Sequence, residues 1–204
     1  MSVIKLGGCN GSGKTTIARS VIKQIGGKRL TRPLQSGKTG VYYEGEFGGV
    51  DFFVLGKYDN ACGGMDTISD KHDRLEFVRS FAEERDDAIV FFEGLITGKT
   101  YGAMGELSEQ HAAEETPWLY SFMDTPFDVC VERVLLRRAE AGNSAPFDPM
   151  RTMDPTFRSC QRLAEKLQNG ELHPHPVHHI NHKHKPQKAA TALLERAWEL
   201  HDAR

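Results

Sequence analysis

The stretch GGCNGSGKTT at residues 7–16 combines glycines, a lysine and threonines at a spacing that can hold phosphate. It satisfies the pattern G-x-x-x-x-G-K-[ST], in which glycines let the backbone wrap a polyphosphate and successive N–H groups face it. In this pattern Lys14 reaches the β- and γ-phosphates, and the Thr15 hydroxyl binds Mg²⁺. The nucleotide-binding residues predicted here are Gly8, Asn10, Gly11, Ser12, Gly13, Lys14, Thr15 and Thr16.

The segments on either side of this loop support the same interpretation. The preceding residues 3–6 are mostly apolar, like a short buried strand, and the following TTIARSVIKQIG has apolar residues at helical spacing. A strand, a glycine loop and a helix form the context that phosphate binding requires, because the helix N-terminus adds positive potential. The sequence therefore predicts a site for ATP and Mg²⁺ rather than a glycine-rich turn that binds nothing.

Two carboxylates are candidates for chemistry beside that phosphate. Asp66 follows two glycines in residues 62–67, CGGMDT, where the backbone can approach a ligand closely. It could accept the proton of an attacking hydroxyl, or it could only order the turn. Glu93 ends the apolar run at residues 88–92, and ligands of open α/β sheets bind at the carboxyl ends of strands. It could bind Mg²⁺, act as the base, or be satisfied by neighbouring N–H groups.

A run of arginines follows a predicted helix start. Thr125 and Asp128 have capping-box spacing, with Pro126 at the first helical position. Arg133 and Arg137 then face solvent or a ligand, and beside a phosphate loop we expect them to stabilise charge on a transferred phosphoryl group. Arg133 is also predicted to bind the nucleotide. The core stripe predicted for this helix is Phe127, Cys130, Val131, Val134 and Leu135.

Length, composition and charge limit the class of protein. A chain of 204 residues with 39% hydrophobic residues is sufficient for one domain, predicted over residues 1–204. The formal net charge of −2 gives no overall attraction to nucleic acid or membrane, so any DNA contact depends on local clustering of the 26 basic residues. The sequence has no apolar run long enough for a signal peptide or membrane helix, and a reduced, cytoplasmic protein is predicted. The four scattered cysteines are Cys9, Cys62, Cys130 and Cys160.

Strands that alternate with helices predict an α/β fold with a central parallel sheet. Aromatic segments around Gly48 and Gly49 predict a β-hairpin insertion at about residues 38–57. A lid segment is predicted at about 137–157, with a mobile loop at 142–155. The other predicted strands are 28–31, 88–92, 118–122 and 177–181, and the other predicted helices are 69–85, with Leu75, Val78, Phe81 and Ala82 on one face, and a closing helix from Pro186.

Two further segments have alternative interpretations. Residues 173–185, HPHPVHHINHKHK, hold six of the nine histidines, but their spacing fits no fixed metal-ligand set. We predict a strand and loop near the nucleotide base, with Lys183 and Lys185 available for phosphate. The hairpin aromatics are predicted to pack in the core rather than stack on bases, and they are Tyr42, Tyr43, Phe47, Phe52 and Phe53. Basic residues nearby keep a nucleic-acid groove open as an alternative, and they are Arg29, Arg32 and Lys38.

The chain resembles the small P-loop kinases of the thymidylate kinase type. In that family a strand ending in Asp-Thr-Pro-like residues precedes a helix whose arginines enter a lid over the nucleotide. The matching residues are Asp124, Thr125, Pro126, Glu132, Arg133, Arg137 and Arg138. The resemblance implies a P-loop kinase fold, with a central parallel sheet flanked by helices. GTPases fit less well because an N-K-x-D motif is missing, and ATPase motors fit less well because Glu93-Gly94 replaces their usual aspartate.

A narrower resemblance comes from GKYDNACGGMDTISDKHD at 56–73 and FFEGLITGKTYG at 91–102. These motifs are similar to those of phage-encoded kinases, including kinases that phosphorylate 5-hydroxymethyluracil bases within DNA. The resemblance implies transfer of the ATP γ-phosphoryl group to a hydroxyl, in DNA containing a hydroxymethylpyrimidine and in the host cytoplasm. A kinase of free nucleoside monophosphates or other small molecules is the alternative, and a nucleotide-binding switch fits less well because of the lid arginines and the paired carboxylates. No membrane partner is expected, and the sequence leaves oligomerisation open.

Overall fold

The computed structural model of this protein describes residues 1–59, 63–85, 87–95, 99 and 101–204. Cys62 and the side chain of Ala82, both considered above, lie outside the described residues. Within these ranges seven strands form one sheet, and they are β1 Ser2–Gly7, β2 Lys28–Pro33, β3 Thr39–Phe47, β4 Val50–Leu55, β5 Ala88–Glu93, β6 Trp118–Asp124 and β7 Val177–Asn181.

The order of strands across the sheet is β2-β3-β4-β5-β1-β6-β7. The five strands from β4 to β7 in this order pair in parallel, as the alternation of strands and helices predicts. Every residue of β1 and β5 is buried, because helices cover both faces of a parallel sheet. The loop at residues 8–13 leaves the carboxyl end of β1, the middle one of the five parallel strands, which lies between β5 and β6.

The predicted hairpin is confirmed, and it extends the main sheet. Strands β3 and β4 pair antiparallel around Gly48 and Gly49, whose φ angles of 62° and 83° suit a two-residue hairpin turn. Because β4 also pairs with β5, Phe52 and Phe53 are each only 1% exposed. The hairpin aromatics therefore pack in the core, as expected.

Helices cover both faces of the sheet. Two of them pack on one face, through residues such as Ile17 and Leu193. Three others cover the opposite face, through residues such as Phe77, Met104 and Leu163. The helices in the described ranges are α1 Lys14–Gln24, α2 Lys71–Glu84, α3 Gly102–Ala113, α4 Phe127–Glu140, α5 Pro149–Thr152, α6 Asp154–Gln168 and α7 Pro186–Asp202. Helices α1 and α7 are the two on one face, and α2, α3 and α6 are the three on the opposite face. Together with the sheet they form a P-loop kinase fold.

Three local predictions were wrong. Pro126, not Thr125, is the N-cap of α4, because the Thr125 hydroxyl donates instead to the Ser12 carbonyl at 2.9 Å. Leu135 is 46% exposed rather than part of the core stripe, and it lines an open groove between α4 and α5. The segment 142–155 was predicted as a loop, but it contains the short helix α5. The N-cap of α5 is Asp148, whose side chain accepts from the N–H of Met150.

In the described ranges, none of the helices combines the length and apolar character needed to cross a membrane.

Candidate active site

A cavity of about 420 Å³ lies where the carboxyl ends of β1, β5, β6 and β7 meet the first turn of α1. Ligands of open α/β sheets bind at this edge because loops and helix N-termini converge there. Five predicted catalytic residues line it together, and they are Lys14, Asp66, Glu93, Arg133 and Arg137. Other predicted residues in the lining are Asn10, Gly11, Ser12, Gly13, Thr15 and Thr16.

The phosphate loop at residues 8–13 has the backbone that its glycines permit. Gly11 and Gly13 have φ angles of 76° and 104°, in the region that favours glycine. A Cβ atom on Gly11 would lie 2.2 Å from the Cys130 carbonyl oxygen, so only glycine lets the loop pass this close to α4. Gly8 lies behind the cavity lining, and its carbonyl accepts from Lys14.

Lys14 begins α1 and is nearly buried, with 7% of its surface exposed. Its Nζ atom donates to the carbonyl oxygens of Gly8 at 2.8 Å and Cys9 at 3.0 Å. These bonds hold the ammonium group beside the loop that is predicted to bind phosphate. A positive charge held in a site with little water interacts more strongly with phosphate oxygens than an exposed lysine does.

Thr15 and Glu93 meet at the floor of the cavity. The Thr15 hydroxyl donates to Glu93 Oε1 at 3.1 Å, and Glu93 is 2% exposed. Burial raises the pKa of the Glu93 carboxyl to about 7, Lys14 and the Thr15 hydrogen bond lower it, and the nearby Asp66 carboxylate raises it. A hydroxyl and a carboxylate side by side are hard oxygen ligands of the kind that Mg²⁺ prefers.

The turn that holds Asp66 packs directly against Glu93. Gly64 has a φ angle of 76°, and a Cβ atom there would lie 2.4 Å from the Glu93 carbonyl oxygen and 2.6 Å from Glu93 Oε1. Glycine at this position therefore brings two distant segments together. Asp66 Oδ2 accepts from the N–H of Leu95, which fixes the carboxylate beside the end of β5. Asp66 is half-buried and Glu93 is buried, so Asp66 is the more exposed of the two carboxylates.

Helix α2 begins just after this turn, and hydrogen bonds fix the start of the helix. The N-cap of α2 is Asp70, whose carboxylate accepts from the N–H groups of His72 and Asp73. The buried Asp73 carboxylate accepts from the Ser36 hydroxyl at 2.6 Å, which joins α2 to the turn between β2 and β3. The position of Asp66 therefore depends on contacts between distant parts of the chain.

Helix α4 approaches the phosphate loop from the other side. Arg133 Nη1 donates to the carbonyls of Gly11 at 3.3 Å and Ser12 at 3.5 Å, and Arg137 lines the cavity one turn later. The outward-facing arginines expected in this helix therefore include two that face the cavity. Arg138 points elsewhere, and its guanidinium lies 4.7 Å from the centre of the Phe147 ring.

The last residue of β7 and the segment that follows it supply wall residues that the sequence did not single out. Asn181, His182 and His184 line the cavity, whereas Lys183 and Lys185 are exposed and are not among its lining residues. His182 Nδ1 donates to the Asp124 carbonyl at 2.7 Å, since a carbonyl only accepts. The predicted strand and loop therefore border the cavity, and the availability of Lys183 and Lys185 for phosphate stays a prediction.

The three basic residues that the sequence offered for a nucleic-acid groove make polar contacts within the protein. Arg29 lies 3.6 Å from Asp59, Arg32 pairs with Glu84, and Lys38 donates to Ser69 at 3.3 Å. In the part of the chain that the structure describes, no group of three or more histidine, cysteine or acidic side chains is arranged to hold a metal ion.

Comparison with known proteins points to one family. Its model, described as 5-hmdU DNA kinase, matches residues 2–146. The protein called 5-hmdU DNA kinase in Delftia phage PhiW-14 is 33% identical over 154 residues, which cover 71% of this chain and 56% of that protein. Proteins of the same name from Pseudomonas phages M6 and PaMx11 are 28% and 27% identical, over 84% and 81% of this chain and 88% and 84% of their own length.

The chain thus spans a little over half the length of the PhiW-14 protein, but most of the length of the two Pseudomonas phage proteins. The family match begins before the phosphate loop and ends after α4, so it includes the loop, both carboxylates and the two arginines of α4 that line the cavity. Because it covers well over half of the 204 residues, this chain belongs to the 5-hmdU DNA kinase family.

Proposed function

We propose that this protein is an ATP-dependent kinase that transfers the γ-phosphoryl group to the hydroxymethyl oxygen of 5-hydroxymethyluracil in DNA. The observation that supports this most is the presence of Lys14, Asp66 and Glu93 in one cavity. A phosphate loop alone would suit any nucleotide-hydrolysing protein. A second carboxylate, apart from the one at the Thr15 hydroxyl, suits transfer to an alcohol. Family membership supports the choice of acceptor.

The chain's own cations hold the donor phosphates. Lys14 and Arg133 donate to carbonyl oxygens of the phosphate loop, and we expect phosphate oxygens to replace those acceptors when ATP binds. N–H groups at the start of α1 add further donors. Phosphoryl transfer depends mainly on positioning and on stabilisation of charge at the transferred group, and Arg137 adds a third cation for that purpose.

Mg²⁺ fits the pair formed by Thr15 and Glu93. A hydroxyl and a carboxylate oxygen 3.1 Å apart are hard ligands, and Mg²⁺ usually completes its shell with waters and substrate phosphates. When bound, the ion would neutralise charge on the β- and γ-phosphates. Its positive charge would also keep Glu93 ionised, against the effect of burial on the pKa of this carboxyl.

Asp66 is the proposed base. The hydroxymethyl oxygen attacks the γ-phosphorus while its proton passes to the Asp66 carboxylate. The bond between the γ-phosphorus and the oxygen that bridges it to the β-phosphate breaks, and ADP leaves. Asp66 suits this role better than Glu93 because it is more exposed in the cavity, whereas Glu93 accepts from the Thr15 hydroxyl at the floor.

The acceptor can be tested directly. The protein is incubated with γ-labelled ATP and one of three acceptors: a duplex with 5-hydroxymethyluracil, the same duplex with thymine, or free hydroxymethyluridine monophosphate. We expect label only in the first duplex, because thymine has no hydroxyl at this position. Faster labelling of the free nucleotide would instead support the small-molecule kinase, and release of phosphate without any labelled acceptor would support a nucleotide-hydrolysing switch.

A further inference from the structure

The phosphate loop lines the cavity, and two of the side chains at its end are buried. Ser12 is 1% exposed and Lys14 is 7% exposed. Arg133 of α4 reaches over the loop carbonyls from one side. The turn at residues 63–67 meets Glu93 from another side, and the segment after β7 adds a third wall. The proposed place of phosphoryl transfer therefore lies in a cavity with walls from several segments of the chain.

A paired base presents its C5 substituent inside the major groove of DNA. This groove is about 12 Å wide and about 8.5 Å deep, and the methyl group of thymine lies within it. A hydroxymethyl group on the same carbon lies there too. To reach it, a protein must insert a projecting element such as a helix or a two-stranded ribbon. Lys14 and Glu93 are 7% and 2% exposed, so a paired base that stays outside the cavity keeps its hydroxyl away from the phosphate that Lys14 is proposed to hold.

We propose that the acceptor base swings out of the DNA helix and enters this cavity as a single unpaired nucleotide. The proposal rests on the proposed function and names the form in which the same site takes its substrate. Asp66 lies between Thr67 and Leu95 in the cavity wall, and both of these residues line the cavity. They offer the extruded base a polar and an apolar surface beside the carboxylate that takes its proton.

The experiment compares acceptors that differ only in how firmly the base is held in the helix. Three duplexes of one sequence carry a single 5-hydroxymethyluracil opposite adenine, opposite a mismatched guanine or opposite an abasic site, and kcat/KM is measured for each. Extrusion costs less free energy when pairing is already lost. We therefore expect kcat/KM to rise from the paired to the abasic duplex by about tenfold or more.

A second measurement follows extrusion without chemistry. A 2-aminopurine placed next to the acceptor base reports loss of stacking by a rise in fluorescence when protein and a non-hydrolysable ATP analogue are added. The matched control is the same duplex with thymine and 2-aminopurine moved several base pairs away, where we expect no change. The readout does not require turnover, so a slow variant or analogue does not affect it.

The outcomes separate the two proposals. A rise in kcat/KM together with a local fluorescence increase supports extrusion. Equal rates on all three duplexes with unchanged fluorescence, or faster transfer to the paired base, would overturn extrusion while the kinase activity stands. Absence of transfer to hydroxymethyluracil in every duplex and in single strands, with label appearing in another acceptor, would overturn the proposed function itself.

Discussion

The two halves of the cavity are built in different ways. The phosphate half consists of residues 10–16 with Arg133 and Arg137, and most of it is one continuous stretch of chain. The acceptor half consists of residues 63–67 with Leu95, which the fold brings together from separate segments. Glu93 lies between them, since it accepts from the Thr15 hydroxyl and packs against Gly64.

This difference shows where the site is sensitive to change. The phosphate half uses backbone N–H groups and one lysine, so its shape follows from a local glycine pattern. The acceptor half depends on close packing of backbones, since a Cβ atom on Gly56 would lie 2.3 Å from the Gly64 carbonyl carbon. We therefore expect substitutions in the phosphate half to remove charge, and substitutions in the acceptor half to disturb geometry.

The largest effect is expected in the phosphate half. Lys14→Ala removes the cation nearest the phosphate loop, and loss of one such donor costs about a thousandfold in rate. Phosphoryl transfer and ATP binding, measured with labelled ATP and by titration, should both fall. Lys23→Ala, on the exposed face of the same helix, is the matched control and should leave both unchanged. Full turnover in Lys14→Ala would remove the kinase assignment.

The acceptor half should respond differently. Asp66→Asn keeps the size of the side chain but removes the proposed base, so the rate of transfer should fall by about a hundredfold. ATP affinity should stay within about twofold, because Asp66 lies outside the phosphate half. Asp128→Asn, at an exposed carboxylate on α4, is the control. If Asp66→Asn transfers normally and Glu93→Gln alone is inactive with Mg²⁺ binding intact, the two carboxylates have the opposite roles.

The contact between the halves gives a third comparison. Gly64→Ala places a methyl group against Glu93, whereas Gly142, which also has a positive φ angle, has open space where a Cβ atom would lie. A small displacement of Asp66 should lower kcat by about tenfold or more, because transfer depends on close alignment. Similar unfolding free energies with similar kcat values in the two variants would show that the close packing at Gly64 has no role in transfer.

The smallest effect concerns the pH dependence of stability. The pKa of Glu93 is raised from 4.5 to about 7, so the folded state holds this proton more tightly than the unfolded chain does. The resulting stabilisation is complete below about pH 4.5 and is lost as the pH rises to about 7. Above pH 7, Glu93→Gln should therefore unfold at a higher temperature than the native protein. Its unfolding free energy should be higher by about 1–3 kcal/mol.

The same variant should lose this advantage in acid. Melting curves from pH 4 to pH 8 without Mg²⁺ give the measurement, since the ion would hold Glu93 ionised. Asp51→Asn, at an exposed carboxylate on β4, should show no such trend. A constant difference between Glu93→Gln and the native protein at every pH would contradict the raised pKa.

The sequence predicted the phosphate half better than its surroundings. Its glycines, lysine and threonine form a phosphate-binding motif within ten residues, and the apolar patterns on either side predicted β1 and α1. Asp66 and Glu93 were predicted as a pair of carboxylates beside the phosphate, but the packing that brings them together was not predicted. The proximity of Asp66 to Glu93 depends on Gly64 and on the neighbouring positions of β4 and β5, which no local sequence pattern predicts.

The errors have a common physical cause. A capping box would pair the Thr125 hydroxyl with an N–H group of its own helix. In the fold this hydroxyl donates instead to the Ser12 carbonyl, 2.9 Å away. His182 meets Asp124 because β6 and β7 end side by side. Leu135 fits the helical stripe, but α5 leaves the groove beside it open. In each case the outcome was decided by tertiary contacts between segments far apart in sequence.

One measurement tests the central claim most directly. DNA containing 5-hydroxymethyluracil is incubated with the protein and γ-labelled ATP, then digested to nucleosides under conditions that spare phosphate esters on the base, and the labelled product is identified by mass spectrometry. We predict that the label is found on 5-hydroxymethyl-2′-deoxyuridine as a phosphate on its hydroxymethyl oxygen, and that Lys14→Ala abolishes it. Label found only at the 5′ ends of the strands, or only on free nucleotides, would contradict the proposed function.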